Sequence, residues 1–191
     1  MTAALITPPA VEPVALADAK AHLRIDSSAD DALLTAALVA ARVHVEALTR
    51  RVLIEQGWRL YRDAWPPGGT LSVPMAPLIS VDAVTVYDAD GDPTVLDEEA
   101  YTVDAVSVPG RIVLTGSVVA PGRAANGIEI DVTAGYGASS LDVPGPLRQA
   151  IMMLVAHWYE HRGGPVGYDM AGYILPQGFE ALIAPYRLLC L

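Results

Sequence analysis

Several common functions are made improbable by what the chain has little of. It has one cysteine, Cys190, so no disulfide can form within it. It has one lysine, Lys20, and its twelve basic residues are scattered. Tight binding of nucleic acid needs clustered Lys and Arg against phosphate, so a net charge of −10 and a pI near 4.6 argue against it. No long uncharged apolar run is present. The most apolar stretch, residues 32–48, contains Arg42, His44 and Glu46 and makes a poor membrane span. The opening residues Met1 to Pro9 lack the basic and apolar regions of a secretory signal. A soluble, reducing cytoplasm is the expected setting for folding. No P-loop, G-x-S-x-G or C-x-x-C occurs.

What is present is apolar and unevenly charged. Hydrophobic residues make up 52% of 191, enough for a sizeable core, and the mean hydropathy of +0.35 is high for a soluble monomer. Such a chain is expected to hide apolar surface against partners or copies of itself. The acidity sits in the middle. Residues 56–143 hold twelve acids and four arginines, while the flanks together are nearly balanced.

Periodicity divides the chain at the same places. Residues 16–23 read as a short helix. A long helix follows over about residues 29–50, with Ser27 to Asp31 offering an N-cap and acids for its first turn. Leu33, Leu34, Ala37, Leu38, Ala41, Val45 and Leu48 form its main apolar stripe. Ala36, Val39, Ala40, Val43 and Ala47 cover much of the opposite side. A helix apolar almost all round is buried on several sides. In so small a protein, that second face is expected to meet a neighbouring subunit.

The middle reads as strands: 58–63, 71–73, 81–87, 101–103, 111–114 and 128–134, separated by Pro/Gly/Asp turns. Asp90-Gly91 suggests a hairpin. Helix returns from about 147 to 162 and again over about 177–185. The predicted class is α+β. Residues 1–55 and 144–191 are expected to form a small helical bundle, and 56–143 an inserted acidic antiparallel β domain.

Three patterns could carry chemistry. His157-Trp-Tyr-Glu160-His161 matches H-x-x-E-H, with two histidines at i and i+4 able to bind zinc in a hydrolase. A third ligand is needed, and only Asp169 and Glu180 lie downstream. The expectation is that both histidines border a core helix. Asp88, Asp90 and Asp92 resemble the start of a calcium loop, but Gly91 precedes the third acid and the EF-hand pattern fails. A solvated hairpin tip is the expected reading. Trp58, Trp65 and Trp158 could hint at a sugar-binding β module, and Gly135-Tyr-Gly137 reads as a strand exit. Cys190 has no obvious base held beside it. No catalytic residue, cofactor site or metal site is predicted.

The residues also resemble a known family. Pro13 to Asp26, followed by Asp30-Asp31-Ala-Leu-Leu, is similar to the start of phage head–tail connector proteins, as is Glu46-Ala-Leu-Thr-Arg-Arg-Val-Leu53. Gln56-Gly-Trp58, residues 81–88 and 132–137 resemble the branch with an inserted β domain. Val143-Pro, residues 150–162, Leu175-Pro and Pro185-Tyr-Arg187 extend the likeness across nearly the whole chain. Gene transfer agents, which are domesticated phage-like particles, carry similar proteins.

The resemblance implies a non-enzymatic virion protein at the head–tail junction, assembled in the host cytoplasm. It implies a ring, usually of twelve copies, between the portal protein and the next connector, stopper or tail protein, with DNA passing through without sequence-specific binding. The tail is apolar, and Tyr186, Leu188, Leu189 and Leu191 are expected to anchor it between portal subunits with Arg187 as a polar lock. The alternative, a tail folded back on its own helices, stays open.

Overall fold

The computed structural model describes residues 2–161 and 175–188. It is an α+β chain in two compact units. One comprises Met1–Ala10 and Glu55–Tyr136, the other Val11–Ile54 and Gly137–Leu191.

The helical unit contains α1 (Leu16–Leu23), α2 (Asp31–Thr49), α3 (Gly145–Glu160) and the short α4 (Phe179–Ile183), followed by a 3-10 turn, Ala184–Tyr186. α2 packs against α3 and α4. Leu34, Leu38, Ala41, Val45 and Thr49 recur at helical spacing and are buried. They share the core with Leu147, Ala150, Ile151, Leu154 and Val155 of α3 and with Phe179 and Ile183 of α4. Pro146 sits in the first turn of α3, where its missing N–H costs nothing. α1 and α2 end at Arg24 and Arg50, both left-handed, a conformation that stops a helix.

The N-cap expectation for α2 fails in its detail. Asp30 occupies the cap position but its side chain does not cap the helix. Its carboxylate instead accepts a 2.6 Å bond from the Tyr159 hydroxyl, and Asp31 pairs with Lys20. A tertiary bond to α3 outcompetes the local one.

The β unit holds two antiparallel sheets. The larger has the order β1-β2-β8-β4-β5 and the smaller β3-β7-β6. The strands are β1 (Thr2–Thr7), β2 (Gln56–Arg62), β3 (Thr70–Ser72), β4 (Leu78–Tyr87), β5 (Pro93–Val95), β6 (Tyr101–Asp104), β7 (Arg111–Leu114) and β8 (Ile128–Ala134). β8 is central, and its Ile128, Ile130, Val132 and Ala134 alternate inward. Ile130 sits opposite Leu60 on one side and Val84 on the other. These residues, with Leu71, Val73, Tyr101 and Ile112, make the β core.

Two strands lie outside the sequence-based reading. β5 is three residues long, below the reach of periodicity. β1 belongs to a segment assigned with the helices, yet it pairs with β2 from Thr2↔Tyr61 to Thr7↔Gly57. Its own residues bury little, so no alternation marked it. The first ten residues therefore group with the β unit, and residues 137–143 with the helices.

Candidate assembly surfaces

α2 is the element that sets the surface of the helical unit. One face is core. On the other, Ala36, Val39, Ala40, Val43 and Ala47 are all exposed, joined by Leu33. Val43 is 51% exposed and Val39 38%. By length and composition α2 could cross a membrane. It carries a polar network that ties it into the helical unit instead. Arg42, 8% exposed, donates Nε to Glu12 at 2.8 Å and NH1 to Glu46 at 2.9 Å. The second oxygen of Glu46 accepts the Leu53 N–H at 2.9 Å. Burial pulls the Arg42 pKa down, but the two carboxylates outweigh it, and the net shift is upward. Arg42 and Glu46 at i, i+4 are visible in sequence. Glu12, thirty residues away, gave no signal.

The tail leaves the 3-10 turn beside the C-terminal end of α2. Arg51 Nε donates to the Tyr186 carbonyl at 2.6 Å, and the Leu188 N–H donates to the Thr49 carbonyl at 3.0 Å. Arg187 pairs with Glu180 at 2.6 Å. Tyr186 and Leu188 are half-buried. Leu189, Cys190 and Leu191 lie outside the described residues.

His157 and His161 stand with ring centroids 4.4 Å apart, and His161 Nδ1 is 2.8 Å from the His157 carbonyl oxygen. Glu160 is exposed and Glu180 is held by Arg187. Asp169 lies outside the described residues. Among the described residues no three metal-ligating side chains converge. The Asp88 turn is built around backbone donors: one oxygen of Asp88 accepts the N–H groups of Asp90, Gly91 and Asp92 at 2.8–2.9 Å. Gly91 has φ +93°, which glycine adopts without strain. Arg123 lies over the Tyr87 ring and donates to the Gly91 carbonyl. An oxygen already ringed by N–H donors is poorly placed to hold a cation. Gly135 donates to the Pro77 carbonyl as the chain leaves β8, and Ser139 caps a 3-10 turn over 140–142. The three tryptophans have separate surroundings. Trp65 donates to the Val119 carbonyl, Trp58 lies on β2, and Trp158 meets the His44 ring edge-on in the other unit.

Elsewhere the β unit fixes its polar groups in pairs. Arg59 binds Asp131 through two bonds and also meets Glu129, which holds its pKa above the ordinary arginine range, the Asp131 hydrogen bonds contributing most. Asp104 accepts from Ser107 and Arg111, which push its pKa well below the usual carboxylate range. That carboxylate rigidifies the β6–β7 hairpin tip, where Val106 is 93% exposed. A groove of about 480 Å³ in the helical unit is lined by Pro13, Val14, His22, Arg148 and Met152 among others and is open to solvent.

An apolar patch left bare on a helix is a common mark of an interaction surface. Comparison with known proteins points the same way. A family model described as "Phage gp6-like head-tail connector protein" matches residues 13–91. A chain in the neck of an empty GTA particle, computed with C6 symmetry, superposes with a TM-score of 0.82 at 30% identity. The match covers 100% of this chain and 97% of that one. Chains from the virion of a native gene transfer agent (GTA) particle and from the native neck computed with C12 symmetry each give a TM-score of 0.79, at the same identity and coverage. No curated protein sequence matches. The class is that of virion structural proteins. The chain belongs to the phage gp6-like head–tail connector family.

Proposed function

We propose that this chain is the adaptor subunit of a phage or phage-like particle. Copies form a ring, of twelve, between the portal protein and the next connector or tail protein at the head–tail junction. Whole-length likeness to a chain in necks of C6 and C12 symmetry is the observation that carries this reading. The chemistry of the surface supports it. Small residues on α2 permit close helix approach, and the exposed set Ala36, Val39, Ala40, Val43 and Ala47 is the subunit interface. A net charge of −10 repels DNA, which then slides through the ring without being gripped. Of the tail residues Tyr186, Arg187, Leu188, Leu189 and Leu191, the first three are tied to the chain's own helical unit in the single chain, so docking into the portal requires those bonds to open or falls to Leu189 and Leu191 beyond them. No residue is assigned to catalysis.

The test mixes purified chain with the portal and images the product by negative stain. Rings on the portal are expected for the wild type. Ala40→Glu places a charge on the bare face and should abolish them with an unchanged far-UV spectrum. Deleting residues 186–191 should stop portal binding. A wild-type chain that stays monomeric with and without portal overturns the reading. A deletion variant that folds and still joins the portal overturns the docking role of the tail.

A further inference from the structure

We propose that the groove around Arg148 in the helical unit receives the acidic turn of the next copy, Asp97, Glu98 and Glu99. This rests on the ring reading and adds a charged contact to the apolar α2 face.

Arg148 is unlike most arginines of this chain. Arg42, Arg59, Arg111 and Arg187 each hold a carboxylate of their own chain. Arg148 is half-buried and holds none among the described residues. Its Nε is shielded from solvent and has no acceptor. A buried donor left unsatisfied costs stability, so an acceptor from outside the chain is expected there. The first turn of α3, where Arg148 stands, carries no acid, and a cation at the positive end of a helix adds to the cost. The groove of about 480 Å³ has apolar walls in Pro13, Val14 and Met152. Asp18 lines it too, without pairing with Arg148. What fills it therefore carries a carboxylate beside an apolar side chain.

Charge complementarity selects the occupant, and the chain itself supplies it. Val95 is 63% exposed, and Asp97, Glu98 and Glu99 follow it, exposed and without an ion pair among the described residues. They lie at the 3-10 turn Glu98–Ala100, between β5 and β6. At three other exposed apolar side chains the nearby acid is already engaged. Asp104 near Val106 holds Arg111, Asp142 beside Leu141 accepts the Ser139 N–H, and Asp82 near Ile79 accepts from Ser80 and Thr133. Cation and acids occur in every copy, on different surfaces. The contact is therefore head-to-tail, the kind that cyclic symmetry uses. Each such pair also offsets part of the repulsion between neighbours that carry −10 apiece.

Ring formation by the full chain, followed by sedimentation and negative stain, tests this. Arg148→Glu should raise the concentration needed for rings by about tenfold or more, with an unchanged far-UV spectrum. The variant Asp97→Lys/Glu98→Lys/Glu99→Lys, on an exposed turn, should do the same. Without the contact, that variant only lowers the repulsion between copies and would assemble more readily, so the sign of the change decides. It also keeps the test sharp should Arg148→Glu fail to fold. Combining the two sets should restore assembly to within about threefold of wild type, because each reversed charge again meets its opposite. Rings indifferent to both variants, or not restored by the combination, overturn the proposal. So do variants that form rings normally but lose the portal, because the occupant is then the portal. A wild-type chain that never forms rings fails the ring reading itself, a result distinct from rings that ignore Arg148.

Discussion

Arg42→Ala is expected to destabilise the helical unit by about 2–4 kcal/mol. The guanidinium lies between two carboxylates, its own side chain 9% exposed, that of Glu12 25% and that of Glu46 16%. Removing one member of a buried ion pair typically costs about 3–5 kcal/mol, because the partner charge is left without compensation. Here two like charges remain, which raises the cost, while the partial exposure of Glu12 lets water offset some of it. Glu46 also receives the Leu53 N–H, so the loss reaches the exit of α2. The measurement is urea unfolding followed at 222 nm, where the helices dominate. The control is the triple variant Glu12→Gln/Arg42→Leu/Glu46→Gln, in which no charge is stranded. Replacing a whole buried ionic group by neutral residues is often close to neutral, so it should fall within about 1 kcal/mol of wild type. A loss below about 1 kcal/mol for Arg42→Ala, or a triple variant as weak as the single one, would refute the argument.

Three further outcomes are expected. The folded-state pKa of Asp104 lies below its ordinary 3.8, so its contribution is complete above about pH 4 and is lost as pH falls below that value. Asp104→Asn should remove this acid-side dependence and speed exchange of the Val106 and Ser107 amides, which hydrogen exchange reads directly. Gly122→Ala drives a methyl into the Asp88–Ala89 backbone and should cost the β unit about 1–3 kcal/mol in urea unfolding, because main chain cannot yield as a side chain does. Purified protein should hold no stoichiometric zinc by metal analysis, and His161→Ala should change neither that nor assembly; zinc lost on that substitution would restore the hydrolase reading.

Much of the fold was legible because periodicity is a direct physical signal. The α1 limits of Leu16 and Leu23 follow from spacing, and the strands around Val84, Ile112 and Ile130 from alternation between turn residues. The double character of α2 was equally readable, since one side is core and Ala36, Val39, Ala40, Val43 and Ala47 are open in the single chain. What escaped was non-local. β1 takes its structure from β2, fifty residues on, and not from its own pattern. Asp30 looks like a helix cap until Tyr159 arrives from α3. Glu12 reads as a surface acid until the fold sets it against Arg42. The family likeness was readable from short phrases in the right order, but no single phrase names a contact.

The pairing of β1 with β2 also governs how this polypeptide can be cut. The chain starts in one unit, crosses to the other near residue 10, returns near 55 and departs again near 137. A fragment spanning 56–143 alone would lose its outermost strand and bare the edge of β2, with Trp58 beside it. Such a fragment is expected to self-associate. Supplying residues 2–7 in trans, or fusing them ahead of Glu55 through a short linker, should restore a monodisperse piece. The same wiring means that trading β units between relatives requires three splices, near residues 10, 55 and 137.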